Sequence, residues 1–151
     1  FHCVLVGGGP HQPAIKAYAE QIGVGDLCTF TGRVSDDDLC RILSSADIGV
    51  DPDPKTSWSD KSPMNKIMEY MFFGLPIVAY DLAETRFSAQ AAAVYAGDSE
   101  FELAKQIDTL LDDPDGRREM GSFGRNRLQT QLAWEYSAPE LLRAYDRLMS
   151  N

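Results

Sequence analysis

Residues 60–81 read Asp-Lys-Ser-Pro-Met-Asn-Lys-Ile-Met-Glu-Tyr-Met-Phe-Phe-Gly-Leu-Pro-Ile-Val-Ala-Tyr-Asp. Ser62 offers a capping hydroxyl, Pro63 suits the first helical position because its missing N–H was an orphan in any case, and Gly74 suits a left-handed exit. The spacing predicts a helix of about three turns between them. Met64, Ile67, Met68, Met71 and Phe72 fall on one stripe, and Ser62, Asn65, Lys66 and Glu69 on the opposite side. Residues 75–80 then read as a short buried strand.

The polar side carries the chemistry. Bare N–H groups at a helix start attract an anion, and Lys61 and Lys66 add positive charge there. Glu69 lies roughly 10 Å along the axis from a cap at Ser62, its side chain leaning back toward the start. A phosphate bound at the helix start therefore has a carboxylate one sugar-length away, where a ribose diol can be gripped. The same residues also suit an ordinary helix with an exposed Glu.

Outward from this stretch, short strands are predicted over 1–6, 28–31, 46–50, 75–80 and 91–95. Helices are predicted over 13–21, 36–45, 100–111, 117–131 and 139–149. Ser35 with Asp38 forms a capping box for the second of these, and Gly121 and Gly124 permit close helix contact. Strands alternating with helices imply an α/β fold, a Rossmann-like doubly wound parallel sheet with helices on both faces. The apolar run 1–6 is read as a strand covered on both faces. All 151 residues are read as a single domain. After the first strand comes Gly7-Gly8-Gly9-Pro10. The third glycine of a dinucleotide fingerprint is replaced by Gln12, so the turn either lets backbone approach a ligand closely or is a tight turn and no more.

The run Ser62-Pro63-Met64-Asn65-Lys66-Ile67-Met68-Glu69-Tyr70-Met71, followed by Gly74-Leu75-Pro76-Ile77-Val78-Ala79, resembles the donor-binding segment of group 1 (family-four) retaining glycosyltransferases of the GT-B fold. The resemblance implies that the chain is the C-terminal, nucleotide-sugar-binding lobe of such an enzyme. Glu69 would then bind the nucleotide ribose, and Ser62, Pro63 and Met64, with Lys61 and Lys66, would take the diphosphate. Gly7, Gly8 and Gly9 would line the cleft. Thr29-Phe30-Thr31-Gly32-Arg33-Val34 also looks like the family pattern, in which Arg33 and Val34 flank the base; a surface Arg beside a core Val is the plain alternative.

The full-length enzyme would transfer a sugar from a nucleoside diphosphate donor to an acceptor with retention. No cofactor is implied beyond that donor substrate, and no catalytic residue is assigned. The acceptor-binding N-terminal lobe and the first strand of this lobe would precede residue 1. Loss of a central strand leaves two inner edges, so the chain is expected to close the gap or to oligomerise.

The family usually carries a second acidic residue eight positions before the one matched by Glu69. That position is Lys61, with Asp60 adjacent. The departure keeps a rival open: a degenerate, non-catalytic nucleotide-binding or scaffold module of the same fold. Asp51-Pro52-Asp53 matches a metal-binding Asp-x-Asp, but the same string recurs at Asp113-Pro114-Asp115, so no metal is assigned. Glu84 and Arg86 are expected to pair. A phospho-receiver would need acidic residues near the first strand, and residues 1–10 contain none.

A net charge of -9 argues against a nucleic-acid groove or a polybasic membrane patch. Cys3, Cys28 and Cys40 have neither zinc nor redox-motif spacing, which points to a reducing, cytoplasmic compartment, the full-length protein being soluble or peripheral to the inner face of the membrane. No apolar run is long enough to span a bilayer.

Overall fold

The computed structural model describes residues 1–150. The chain forms two compact units, Phe1–Ser45 and a second from Ala46 onward. The first contains β1 (Cys3–Val6), α1 (Gln12–Gln21), β2 (Cys28–Gly32) and α2 (Asp36–Ser45). β1 and β2 are parallel, with Cys3 opposite Cys28, Leu5 opposite Phe30 and Val6 opposite Gly32 after a register shift. The predicted capping box closes α2: the Asp38 N–H donates to Ser35 Oγ (3.2 Å), and the Ser35 hydroxyl donates to Asp38 Oδ2 (2.8 Å). β1 departs from expectation. Cys3, Val4 and Val6 are exposed and only Leu5 is half-buried: the ladder partner β2 covers an edge of the strand and not its faces.

The second unit contains β3 (Gly49–Asp51), α3 (Asn65–Phe73), β4 (Ile77–Tyr80), α4 (Ala83–Ala89), β5 (Ala93–Ala96), α5 (Glu100–Leu111), α6 (Pro114–Arg127) and α7 (Trp134–Met149). Its sheet is parallel in the order β3-β4-β5. All four residues of β4 are buried, and their alternation separates two cores. Ile77 and Ala79 pack with Ile67 and Met71 of α3 and with Ala89, Ala92 and Ala93. Val78 and Tyr80 pack on the other face with Ala96 and with Leu103 and Leu110 of α5. The α/β class with parallel strands and helices on both faces is therefore what the chain adopts. The strands lie in two ladders. Each unit holds one of the two ladders.

Two predicted helices start earlier by three or more residues. α6 starts at Pro114 because Asp113 caps it, its Oδ1 accepting the Gly116 N–H at 2.8 Å, and proline is tolerated in a first turn. α7 starts at Trp134 and carries Pro139 inside it. Among the described residues no helix is long and apolar enough to cross a membrane.

α6 also fixes the ends of its neighbours. Arg125 donates to the carbonyls of Phe72 (3.2 Å) and Phe73 (2.9 Å), the last turn of α3, beside the left-handed Gly74 (φ +69°). Arg127, 6% exposed, donates to the carbonyls of Phe87 (2.8 Å) and Ser88 (2.9 Å) at the end of α4. Both guanidinium groups thus sit at the negative end of a helix.

Candidate functional site

α3 begins later than its sequence suggests. Met64, with extended backbone, is the residue before the first turn, and no side chain caps the helix. Ser62 is not the cap: its hydroxyl donates to the Trp58 carbonyl at 2.9 Å, closing the tight helical turn Ser59–Lys61. Pro63 correspondingly lies ahead of the helix. The reason is the loop before it, where Thr56 and Ser59 exchange backbone and hydroxyl hydrogen bonds and Ser59 donates to the Pro54 carbonyl at 2.7 Å. That local lattice competes with helix extension and wins.

The N–H groups of Asn65 and Lys66 therefore open the helix with no side-chain acceptor. Glu69 lies roughly 7 Å along the axis from Met64, about 3 Å nearer the helix start than a cap at Ser62 would put it. It is exposed, and among the described residues it makes no hydrogen bond or ion pair. Lys61 is likewise exposed, and its ammonium has no partner among the described residues. Lys61, Ser62, Pro63, Met64, Lys66 and Glu69 are thus carried by one continuous segment.

Lys66 is not the free cation the sequence suggests. Its ammonium donates to Asp51 Oδ1 at 3.0 Å and to Asp53 Oδ2. Asp51 ends β3 and is 1% exposed. Burial pushes the Asp51 carboxyl above its ordinary range, against the Lys66 hydrogen bond. At Asp53 burial is the largest single cause and raises the pKa, but the hydrogen bonds with Lys66 and Asp51 and the Lys66 charge together outweigh it and the net shift is downward. Burial works against the charge of Lys66 itself, yet the hydrogen bonds to Asp53 and Asp51 hold its pKa above the usual lysine value. The Asp-x-Asp pair therefore has a cation, and it is a lysine. Tyr70, one turn on, donates to the Val50 carbonyl at 3.2 Å and lies flat over Gly49, where a Cβ would come within 2.4 Å of its ring. α3 is thereby pinned to β3.

Two further side chains find partners the sequence did not name. Asp60 Oδ1 accepts the Ala83 N–H at 2.8 Å, at the start of α4, and lies 3.4 Å from the Lys55 ammonium. Arg86 pairs with Asp81 at 2.7 Å rather than with Glu84, and its guanidinium stacks 4.1 Å from the centre of the Tyr95 ring.

In the first unit, the Gly7 N–H donates to the Gly32 carbonyl at 2.9 Å. Gly7 (φ +113°) and Gly32 (φ +65°) both have backbone that side chains disfavour. A Cβ on Gly8 would stand 4.0 Å from the Arg33 nitrogen, so the glycine turn and the Arg33-Val34 corner are neighbours. Gly7, Gly8 and Gly9 line a cavity of about 250 Å³ with Leu5, Ile15 and Phe30 among its walls. Arg33 is exposed and Val34 half-buried.

Asp51 and Asp53 were missed as partners of Lys66. The signal was present: an Asp at the end of the strand Ile48-Gly49-Val50 is costly to bury without a cation, and Lys66 is the nearest lysine on the polar side of the following helix.

The family model for glycosyl transferases group 1 matches residues 1–113. A GDP-mannose-dependent alpha-(1-6)-phosphatidylinositol monomannoside mannosyltransferase of Mycobacterium tuberculosis is 30% identical over 143 residues, covering 91% of this chain and 37% of that protein. A 2-deoxystreptamine glucosyltransferase of Streptomyces kanamyceticus is 24% identical, covering 99% of this chain and 38% of that protein. Among solved structures, a sucrose-phosphate synthase from Thermosynechococcus elongatus superposes with a TM-score of 0.79 at 24% identity, over 97% of this chain and 38% of that one. WaaG, a glycosyltransferase involved in lipopolysaccharide biosynthesis, does so with a TM-score of 0.70 at 19% identity, over 85% of this chain and 34% of that one. These two share the fold. The chain spans a little over a third of each relative's length, and with three quarters of it matched by the family model it belongs to the group 1 glycosyl transferases.

Proposed function

We propose that this chain is the donor-binding lobe of a retaining GT-B glycosyltransferase, holding a nucleoside diphosphate sugar for transfer to an acceptor bound by a second lobe outside these residues. One observation carries the reading: the exposed carboxylate of Glu69, unpaired among the described residues, stands little more than a turn below a helix start with no side-chain cap. Helix N–H groups and the Lys61 ammonium suit a diphosphate that gains charge as the sugar departs. Glu69 suits the ribose hydroxyls. In the first unit, Gly7, Gly8 and Gly9 leave room for a ligand, and Arg33 and Val34 flank the base. The share of its relatives that the chain spans supports an acceptor lobe elsewhere in the protein. Three free cysteines suit a cytoplasmic setting.

The GDP-mannose named for the mycobacterial relative makes GDP the first ligand to test and UDP the second. Calorimetric titration of the full-length protein is expected to detect binding of one of them, weakened by about 1–3 kcal/mol in Glu69→Ala. Binding unchanged by that substitution would remove the assignment. Lys61, standing where the family usually has an acid, favours the second reading of a non-catalytic nucleotide-binding module. Binding without sugar transfer or donor hydrolysis by the full-length protein would select it.

A further inference from the structure

The ammonium of Lys66 has three N–H groups, and two are spent on Asp51 Oδ1 and Asp53 Oδ2. The side chain remains 35% exposed. We propose that Asp51 and Asp53 are positioning residues that aim the third N–H of Lys66 at a phosphate oxygen of the donor at the start of α3, an inference that rests on the donor-lobe reading above.

A free lysine is a flexible point charge that loses much of its rotamer freedom on gripping a phosphate. Here that ordering is complete before any ligand arrives. Asp51 is immobile: it is laddered to Ala79 through β3 and β4 and is 1% exposed. The Tyr70 hydrogen bond to Val50 fixes α3 against the same strand, so the base of the Lys66 side chain is as fixed as its tip.

Asp51 also has a feature that stability alone does not explain. Its Oδ2 is buried with no hydrogen-bond partner among the described residues. A half-satisfied carboxylate at the end of a buried strand costs stability that an apolar residue would not. It is retained where it can orient a lysine carried by the first turn of α3. Burial opposes ionisation of Asp51, while the half-exposed Asp53 is held below its ordinary range.

The test compares nucleoside diphosphate with nucleoside, GDP against guanosine and UDP against uridine, by calorimetry on the full-length protein. The ratio of the two affinities isolates the diphosphate. Asp53→Ala is expected to lower that ratio about five- to tenfold with nucleoside affinity unchanged, and Asp53→Asn, which keeps an oxygen acceptor, to recover most of it. Lys66→Met is expected to lower the ratio at least as far and to make a further Asp53→Ala change silent. An unchanged ratio in Asp53→Ala, or equal loss for nucleoside and diphosphate, overturns the positioning role and leaves the donor reading standing. A wild-type protein that gains nothing from the diphosphate overturns both.

Discussion

Gly121 of α6 lies against the carbonyl oxygen of Gly74, so closely that a Cβ on Gly121 would stand 2.0 Å from it. Gly74 is the left-handed exit of α3, and the carbonyls just before it are held by Arg125, so this oxygen has no easy way aside. Gly121→Ala is expected to destabilise the protein by about 1–3 kcal/mol through overpacking. Gly124→Ala meets Ala92 Cβ at 3.0 Å and Met71 Cγ at 3.2 Å, and the Met71 side chain can yield, so it is expected to cost less. Thermal unfolding followed by circular dichroism ranks the two; equal melting temperatures would contradict the geometry.

Arg127 makes a second demand on α6. Its substitution by Met keeps volume but strands the carbonyl of the buried Ser88 and removes the part-buried bond to Phe87. Arg127→Met is expected to cost about 3 kcal/mol. Arg125→Met, at an exposed position, is expected to cost about 1 kcal/mol or less because water can replace the guanidinium. Urea denaturation of both variants measures the difference.

Tyr95 gives an expectation for alkaline pH. Burial pushes its phenol up to about 12, with the Arg86 cation opposing and Asp81 adding to the rise. Its hydroxyl donates to the Gln90 carbonyl at 2.9 Å, a bond the phenolate cannot make, and Gln90 is held at φ +48°. The folded state keeps a proton that the unfolded phenol releases near its ordinary value of 10.0. The resulting stabilisation is complete below that value and is lost as pH rises through about 12. Absorbance titration should show Tyr95 ionising late, as should Tyr70, whose phenol burial also raises, and Tyr95→Phe should remove one late component together with its share of the alkaline loss. A second substitution follows from the same corner: Gln90→Gly relieves the disfavoured backbone and is expected to stabilise by about 0.5–1 kcal/mol.

The class of fold was legible because periodicity is a property of the elements themselves. The Ile77-Val78-Ala79-Tyr80 run is buried on both sides, and the bounds of α2 and α5 follow from their Ser35 and Ser99 caps. What was not legible depended on competition between neighbours in space. Ser62 has the right identity for a cap, yet Trp58 offers it a carbonyl first. Lys66 reads as a free cation, yet Asp51 at the end of β3 and Asp53 just beyond it reach its ammonium. Arg86 is nearer in sequence to Glu84, but the geometry of α4 turns it toward Asp81 and Tyr95. Each miss exchanges one sound local partner for another that only the fold brings close.

Lys61 is where the sequence departs from the family pattern, and the structure leaves its ammonium exposed and unpaired just ahead of the α3 start. If that charge faces the diphosphate, Lys61→Glu exchanges attraction for repulsion while touching nothing else. The fold should be indifferent, with stability within about 0.5 kcal/mol of wild type. Nucleoside diphosphate affinity should fall by about 1 kcal/mol at low salt, Lys61→Met falling by about half as much, and the difference should shrink as salt is added because an exposed charge is screened. Guanosine or uridine, lacking the phosphates, should bind all three proteins alike. A Lys61→Glu variant that keeps its diphosphate affinity but gains sugar transfer would show instead that the position belongs to sugar recognition, and that lysine there is what silences the enzyme.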